Sequence, residues 1–504
     1  MKSKCLLLGY DIGSSSIKAS LLDTDNGITL AAAISPKIEL PIYAVQKDWA
    51  EQPPDLWWEH IVNVTNELRK KANFKADWIK AIGISYQMHG LVMVDIDNKP
   101  LANSIIWCDS RAVEIGNKAF QDLGQEACLK KYLNSPGNFT ASKLKWVQAN
   151  QPEIYEKIKK IMLPGDYIAY KMTGEICTTP SGLSEGIFWD YEKSGLANDL
   201  LEYYVIDTEL IPNIVDTFSS QGKLTKTAAE QLGLAENTEV SYRAGDQPNN
   251  ALSLNVMEPG EIAATAGTSG VVYGITEKAS YDSLSRVNTF IHVNHKADAP
   301  HYGVLLCING CGIANSWIRR YFKADNNIQL DYQTMNNLAA TVPIGSDGLV
   351  ILPFGNGTER ILQNRHLHAN IFSLEFNLHT KNHFFRAVQE GIIFAIQYGL
   401  DIMKNIDIHV EKVRAGNANM FLSPLFCEAF ATVTNAEVTL YDTDGACGAA
   451  RGAGIGSGIF KNKKQAFASL KPIKNIEPDK NKQTEYLNAY HQWQEKLNLL
   501  LKSE

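Results

Sequence analysis

The 504-residue chain predicts an α/β protein of two related domains facing a cleft, and three observations carry that prediction. Its length exceeds what one hydrophobic core usually supports, about 250–300 residues. Each half contains a short glycine–hydroxyl turn after an apolar run. Leu6-Leu7-Leu8 leads into Asp11-Ile12-Gly13-Ser14-Ser15-Ser16, and Ile262-Ala263-Ala264-Thr265 leads into Gly267-Thr268-Ser269-Gly270. The coarse order of strands and helices also repeats between the halves. Apolar runs of this kind read as buried strands. Consecutive backbone N–H groups at such turns converge on a concavity that can hold an anion. The pair suggests one phosphate-rich ligand clamped between two domains.

In the first half, residues 5–10, 16–22 and 28–34 read as three strands of a meander, turned by the glycine–serine segment and by Asp23-Thr24-Asp25-Asn26-Gly27. Residues 54–70 place Trp57, Ile61, Val64, Thr65 and Leu68 near one face, the period of a helix. A buried strand is expected at 79–85, and 91–96 is expected to pair with 105–107. Three antiparallel strands, a helix and a further strand is how an actin-like, nucleotide-cradling domain is built. Residues 112–182 are mostly helical, with a helix expected at 163–171. Residues 240–244 form a strand ending at Gly245-Asp246, and 251–256 a short helix. Pro259-Gly260 turns into the second half. The domains expected are 1–252 and 253–504.

The second half repeats this order, with strands at 262–266, 271–275, 290–293 and 304–308 and helices at 313–320 and 332–339. A strand at 349–353, a long amphipathic helix at 383–405 and a strand at 412–415 follow. The small-residue segment 444–458 permits tight helix packing, and the chain closes with a surface strand or turn and a helix at 486–502.

Composition narrows the function. The chain is 45% hydrophobic and 20% charged with a formal net charge of -7, which argues against nonspecific nucleic-acid binding. It does not argue against a small anion, which local backbone dipoles can hold. Eight scattered cysteines lack metal-ligand spacing and read as reduced thiols. The N-terminal apolar run is too short and polar for a signal sequence, and no stretch reaches the roughly 18 apolar residues of a membrane span. A cytoplasmic protein without a membrane association is expected. No Gly-x-x-x-x-Gly-Lys-Ser/Thr element supports a P-loop, and no Gly-x-Gly-x-x-Gly follows an N-terminal strand. Gly452-Ala453-Gly454-Ile455-Gly456 favours helix packing over a dinucleotide site.

Several polar residues stand where chemistry is possible. Gly13 permits close backbone approach, Ser14–Ser16 offer hydroxyl and N–H donors, and Asp11 can hold Mg2+, a hard cation preferring oxygen; a plain hairpin turn is the alternative. Lys18 either belongs with this turn or is a surface strand lysine. Asp246, at a strand end beside Gly245, can act as general base or cap the helix after Pro248. Its place just before the second turn favours the first role. His89, in Gln87-Met88-His89-Gly90, belongs on a loop and can bond a polyol or cap the strand. Asp109 and Arg111, in Trp107-Cys108-Asp109-Ser110-Arg111, can bind sugar hydroxyls or pair with each other.

Nearly the whole chain, from Leu8 to about Gly458, resembles the FGGY carbohydrate kinases. The resemblance rests on Tyr10-Asp11-Ile12-Gly13-Ser14-Ser15-Ser16-Ile17-Lys18, Ser85-Tyr86-Gln87-Met88-His89-Gly90, Ile106-Trp107-Cys108-Asp109-Ser110-Arg111, the segment 139–147, Leu163-Pro164-Gly165-Asp166-Tyr167-Ile168, Ala244-Gly245-Asp246 and Gly267-Thr268-Ser269-Gly270-Val271. It implies two ribonuclease-H-like (actin-like ATPase) domains flanking a deep catalytic cleft, and, since many members are dimers, a homodimer. It implies ATP-dependent phosphorylation of a ketose primary hydroxyl. The Gln-Met-His-Gly segment points to xylulose, with D-xylulose 5-phosphate as product; ribulose, fuculose or a related sugar is the alternative. A noncatalytic sugar or ATP sensor is the third reading, and Asp246 argues against it. By position, Asp246 corresponds to the catalytic base, and Asp11 to the magnesium-linked carboxylate. Met88, His89, Asp109 and Asp246 correspond to the sugar side, Ser14, Ser15, Gly267 and Thr268 to the phosphates, and Gly416 and Asn417 to the adenosine. Three segments depart from the family pattern: the glycine-poor run after Gly416, Cys108 where asparagine is usual, and Gly357-Thr358-Glu359-Arg360-Ile361 in place of Gly-Glu-Arg-Thr-Pro. In a loose phosphoryl-transfer transition state proton loss can come late, so the base needs no strongly raised pKa.

Overall fold

A computed structural model describes residues 4–322 and 330–503. Its frame is two twisted mixed sheets of the same plan. The first orders its strands β5-β4-β1-β2-β3, with β1 Leu6–Ile12, β2 Ile17–Asp23, β3 Thr29–Ser35, β4 Ile79–Tyr86 and β5 Glu239–Gly245. β1 runs antiparallel to β2, and β2 to β3, whereas β1, β4 and β5 are parallel. The second sheet contains β6 Ile262–Ala266, β7 Gly270–Thr276, β8 Asn288–Ile291, β9 Tyr302–Ile308, β10 Lys412–Gly416, β11 Glu437–Tyr441 and β12 Pro472–Ile476, in the order β8-β9-β7-β6-β10-β11-β12. Its inner five repeat the first sheet: β6, β7 and β9 form an antiparallel meander, and β6, β10 and β11 are parallel. The duplication expected from the chain's coarse order is therefore real in both strand order and direction.

Burial explains the strand composition. Leu6, Leu7 and Leu8 are fully buried because both faces of β1 are covered, which is why the run does not alternate. One face carries α1 (Pro54–Ala72), which presents Trp57, Ile61, Val64 and Leu68 to the sheet. The other face carries α8 (Gly445–Gly456), drawn from the far end of the sequence. Six of the helices between them are labelled here: α2 Pro164–Thr173, α3 Pro180–Glu185, α4 Asp246–Ser253, α5 Gly312–Tyr321, α6 Lys381–Lys404 and α7 Pro424–Thr434 precede α8, and α9 Gln483–Ser503 ends the described chain.

The small-residue segment is a packing helix, and its partner is the first sheet. A Cβ at Gly9 would lie 2.0 Å from the Ala446 carbonyl oxygen, and one at Gly83 would lie 1.9 Å from that of Ala449. The helix backbone touches the sheet backbone, which side chains at those two positions would forbid. Ser241 Oγ donates to the Ala453 carbonyl at 2.9 Å, and Asn249 Nδ2 of α4 to the Gly445 carbonyl at 2.8 Å. The halves are joined a second time at β8: Ser181 Oγ donates to the Ile291 carbonyl, the Ile291 N–H to Ser184 Oγ, and Asn134 Nδ2 to the Thr289 carbonyl.

One expected pairing differs. Val92–Val94 pairs with Lys160–Met162, and Ser104–Ile105 with Glu51–Gln52; only an isolated bridge joins Leu91 to Ile105. One partner lies in the helical insertion that precedes β5, the other just before α1. Among the described residues no helix is long and apolar enough to cross a membrane.

Candidate active site

The carboxyl ends of β1, β4 and β5 define one edge of the cleft: Ile12, Tyr86 and Gly245 stand in register there. In open sheets the crevice beyond such ends is where ligands sit. One residue back from Ile12, Asp11 lies opposite Ser85 on β4 and Lys18 on β2. Ser85 Oγ donates to Asp11 Oδ1 at 2.9 Å. The first turn of α8 approaches the other oxygen, since a Cβ at Gly445 would fall 2.6 Å from Asp11 Oδ2. Burial raises the Asp11 pKa, partly opposed by Lys18 and the Ser85 bond, with the Asp444 charge adding to the rise. Lys18 is exposed, so its effect is an electrostatic one from the neighbouring strand.

Asp246 follows directly on β5. The helix expected to start after Pro248 begins at Asp246 itself, with Gly245 in the capping position, so Asp246 is not the cap. Burial lifts its carboxyl to about 7, with the Asp11 charge adding and hydrogen bonds from Gln247 opposing. This carboxyl is therefore poised near neutrality, a larger rise than a base in a loose transition state would require.

Met88 and His89 lie beyond the end of β4, on the side of Asp246. A Cβ at Gly245 would meet Met88 Cγ at 2.6 Å and Glu185 Oε2 at 2.4 Å, so Gly245 is wedged between them. His89 takes a left-handed backbone (φ 60°). Its Nδ1 lies 2.8 Å from the Glu185 carbonyl oxygen. An acceptor there requires Nδ1 to carry the hydrogen, leaving Nε2 as an acceptor. Burial, with Lys143 and Arg360 nearby, holds His89 down at about 3, so the ring is neutral at working pH. It stands edge-on to Phe139 at 4.8 Å and tilted to Phe290 at 5.5 Å. His89 is thus on a loop, as expected, yet enclosed by aromatic rings from both halves.

Residues outside the expected set support this arrangement. Lys143 is fully buried, and its Nζ donates to the His89 and Ile106 carbonyls, each at 2.9 Å. Burial pulls it down to about 7, against the pull of Asp109 and Cys108. Glu185 is buried behind Gly245, and burial plus the charges of Asp246 and Asp166 push it well above the carboxylate range. Lys143 lies within a recognisable motif, but only its complete burial distinguishes it from a surface lysine, and burial of one residue is not written in a helix pattern. Glu185 carries no local signal at all.

Asp109 had two roles open to it, and the structure shows the ion pair. Its carboxylate is fully buried, takes Nε and a terminal nitrogen of Arg111 (2.6 Å at the shortest), and accepts from the Ala50 and Arg111 backbone N–H groups. The guanidinium also bonds Glu51 at 2.8 Å and lies 3.7 Å over the Trp49 ring. A carboxylate so committed orders the loop beside the cleft rather than reaching a sugar.

The turns differ in how they spend their polar groups. In the first, Gly13 N–H bonds the Ser16 carbonyl, Ser14 O accepts from Gln52, Ser15 O accepts from the Leu40 N–H, and Ser14 Oγ accepts from Trp107 Nε1. In the second, the Gly267 carbonyl accepts from the Gly312 N–H at the start of α5, and Ser269 Oγ bonds Asn309 Oδ1, while Thr268 is exposed. Asn419, absent from the expected set, brings Nδ2 within 3.5 Å of where a Gly267 Cβ would sit. Gly416 ends β10 with only the Thr443 carbonyl near its Cβ position, at 3.7 Å, and Asn417 is exposed with its N–H on the Tyr441 carbonyl.

Among the described residues no group of three or more His, Cys, Asp or Glu side chains could hold a metal by itself. Asp11, with one oxygen on Ser85, instead suits a Mg2+ that takes one or two carboxylates and completes its shell from phosphate and water.

Comparison with known families matches residues 6–253 to the N-terminal domain of the FGGY family of carbohydrate kinases and residues 262–456 to its C-terminal domain. The xylulose kinase of Haemophilus influenzae is 28% identical, over 97% of this chain and 98% of its own; that of Bacillus subtilis is 26% identical, over 99% of each. Among solved structures, a ligand-bound xylulose kinase from Lactobacillus acidophilus superposes with a TM-score of 0.88 at 23% identity, covering 98% of each chain. A gluconate kinase from the same organism gives 0.88 at 23% identity, covering 99% of this chain and 98% of its own.

Proposed function

We propose that this chain, which belongs to the FGGY family of carbohydrate kinases, transfers the γ-phosphoryl group of ATP to the 5-hydroxyl of D-xylulose, giving D-xylulose 5-phosphate. The observation that carries the chemistry is Asp246: a carboxyl at the mouth of three parallel strands, poised at about 7, electrostatically coupled to Asp11, with Met88 packed against the preceding Gly245. The choice of sugar is supported by the xylulose kinases of similar sequence and by the Met88-His89 pair.

In this reading Asp246 accepts a hydrogen bond from the 5-hydroxyl, orients its oxygen toward the γ-phosphorus and takes its proton. A base near neutrality combines a deprotonated form with enough proton affinity. His89 Nε2 accepts from a second hydroxyl, and its fixed tautomer orients the sugar. Met88 forms the apolar floor. Backbone N–H groups of Ser14, Ser15, Gly267 and Thr268 bind phosphate oxygens, and Gly416 with Asn417 admits the adenosine. Mg2+, held through Asp11, would supply charge neutralisation of the phosphates. In phosphoryl transfer such positioning and charge stabilisation make up most of the catalysis. Closure of the halves excludes water, the competing acceptor.

The test is a coupled ADP-release assay across pentuloses, hexuloses and polyols, with Asp246→Asn as control. Turnover highest on D-xylulose is expected. A different preferred sugar replaces the acceptor assignment, and no sugar-dependent turnover removes the kinase reading.

A further inference from the structure

Arg360 stands at the junction of the halves, where the charge of the neighbouring Glu359 partly offsets the burial of its guanidinium. It opens a short 3-10 turn, Arg360–Leu362, in the second half. Its guanidinium lies 4.5 Å over the ring of Phe139, the same ring that His89 meets edge-on at 4.8 Å. Among the described residues the guanidinium makes no ion pair and no hydrogen bond, in contrast to Arg111, Arg243 and Arg386, which each engage a carboxylate. A terminal nitrogen lies 3.0 Å from the Cβ position of Gly137, whose positive φ (38°) and missing side chain leave room for it. Among the described residues its five N–H donors have no protein acceptor, so beside the candidate pocket they are free to donate to oxygen atoms of a ligand.

The segment bearing Arg360 is also tied to the second glycine turn. Glu359 has a left-handed φ of 52° with ψ -166°, a conformation that costs a non-glycine residue energy and must be held by its contacts. The contact is Asn309 Nδ2, which donates to Glu359 Oε1 at 2.7 Å, while Asn309 Oδ1 accepts from Ser269 Oγ at 3.1 Å. A chain of hydrogen bonds thus runs from Ser269, in the second turn, through Asn309 to Glu359, and the next residue reaches over to the ring that packs on His89.

We propose that Arg360 is a sugar-binding residue supplied by the C-terminal half, its guanidinium donating to acceptor hydroxyl oxygens on the Phe139 side of the pocket, with Ser269-Asn309-Glu359 registering that contact to the phosphate turn. The inference rests on the cleft between Asp246 and His89 being the acceptor site. It makes the pocket complete only when both halves face each other: the reacting hydroxyl is held from one half, the remaining hydroxyls from the other. The planar fork also makes this a specificity element, because it favours two neighbouring oxygens over one.

The experiment uses the full chain with Arg360→Met, which keeps an apolar stem over Phe139, and Arg360→Lys, which keeps the charge without the fork. Steady-state kinetics are measured with the sugar that the unaltered protein phosphorylates best. For Arg360→Met the acceptor KM is expected to rise about 10- to 100-fold, the range for losing a charged hydrogen bond, while the ATP KM stays within about twofold. Arg360→Lys should fall between. An acceptor KM unchanged in both variants overturns the proposal, and so does an equal rise in both KM values, which would place Arg360 at the nucleotide. If Arg360→Met does not fold, shown by its ligand-free thermal unfolding, Arg360→Lys decides alone. The sugar preference of the unaltered protein is read separately, so a preference for another sugar would remove the xylulose assignment while leaving this one to stand or fall on its own KM.

Discussion

The two sheets share strand order and direction, yet their first strands end in different chemistry. In the first sheet the ends of β1 and β5 present Asp11 and Asp246, two carboxyls close enough that one raises the pKa of the other. In the second, β6 ends in Thr265-Ala266 and the turn after it offers Gly267 and Thr268. The turns are alike in leaving one hydroxyl residue exposed, Ser15 in the first and Thr268 in the second, while the first also ties its Ser14 and Ser15 carbonyls to Gln52 and Leu40. A duplicated frame thus divides its acids unevenly: Asp11 stands within β1 of one half, and a threonine near the end of β6 in the other.

Asp246→Asn should break this division most severely. Losing a general base costs about 10²–10⁴-fold in kcat. Sugar and ATP KM should change far less, since amide and carboxylate have the same shape. A loss of ATP affinity as large as that of kcat would move Asp246 out of the acceptor side.

Gly83→Ala should come next, acting through the fold. Its Cβ would sit 1.9 Å from the Ala449 carbonyl oxygen, a backbone atom that can retreat only if α8 lifts off the sheet. Overpacking of this kind costs about 1–3 kcal/mol. Because the first turn of α8 abuts Asp11, the same shift should lower activity. Thermal unfolding and kcat measured on one preparation check both; a variant as stable and active as the parent would mean that α8 docking does not position Asp11.

Much of this frame was legible in the chain, and the limits have physical causes. Apolar runs and the helical period report burial, so β1, β2, β3, β4 and α1 fall within a residue or two of expectation. They do not report partners, which is why residues 91–96 were assigned to the neighbouring strand and why the small residues of α8 indicated close packing without naming Gly9 and Gly83 as the surface. Candidate acids at strand ends were found because Gly-Asp after an apolar run is a local pattern. Asp109 could not be resolved locally, since a carboxylate two residues before an arginine serves a sugar or an ion pair equally well until Ala50, Glu51 and Trp49 close around it. Glu185, Asn309 and Asn419 were missed for the converse reason: their roles exist only through contacts with distant residues.

The pH dependence sharpens the coupling between the two acids. With Asp246 poised at about 7, kcat/KM should fall as pH drops through that value, because the protonated acid cannot accept the hydroxyl proton. The Asp11 charge contributes to that elevation, so in Asp11→Asn the neighbouring negative charge is gone, the Asp246 pKa falls and the acidic limb moves to lower pH. The same variant should need more Mg2+ for half-maximal rate. A limb that stays in place in Asp11→Asn would separate the two carboxyls.

The smallest effect tests the second half alone. A Cβ at Gly416 would meet nothing in the protein closer than the Thr443 carbonyl at 3.7 Å, and its φ is not positive, so nothing in the fold requires glycine there. Gly416→Ala should therefore leave stability unchanged or raise it by about 0.4–1 kcal/mol, through the unfolded chain. If the missing side chain admits the adenosine, the ATP KM should nevertheless rise about five- to tenfold, equivalent to roughly 1–1.4 kcal/mol, with the acceptor KM unmoved. Stability and ATP affinity would then move in opposite directions, which packing cannot produce. An unchanged ATP KM would take Gly416 out of the nucleotide site and leave Gly267, Thr268 and Asn419 as the surface that the second half offers.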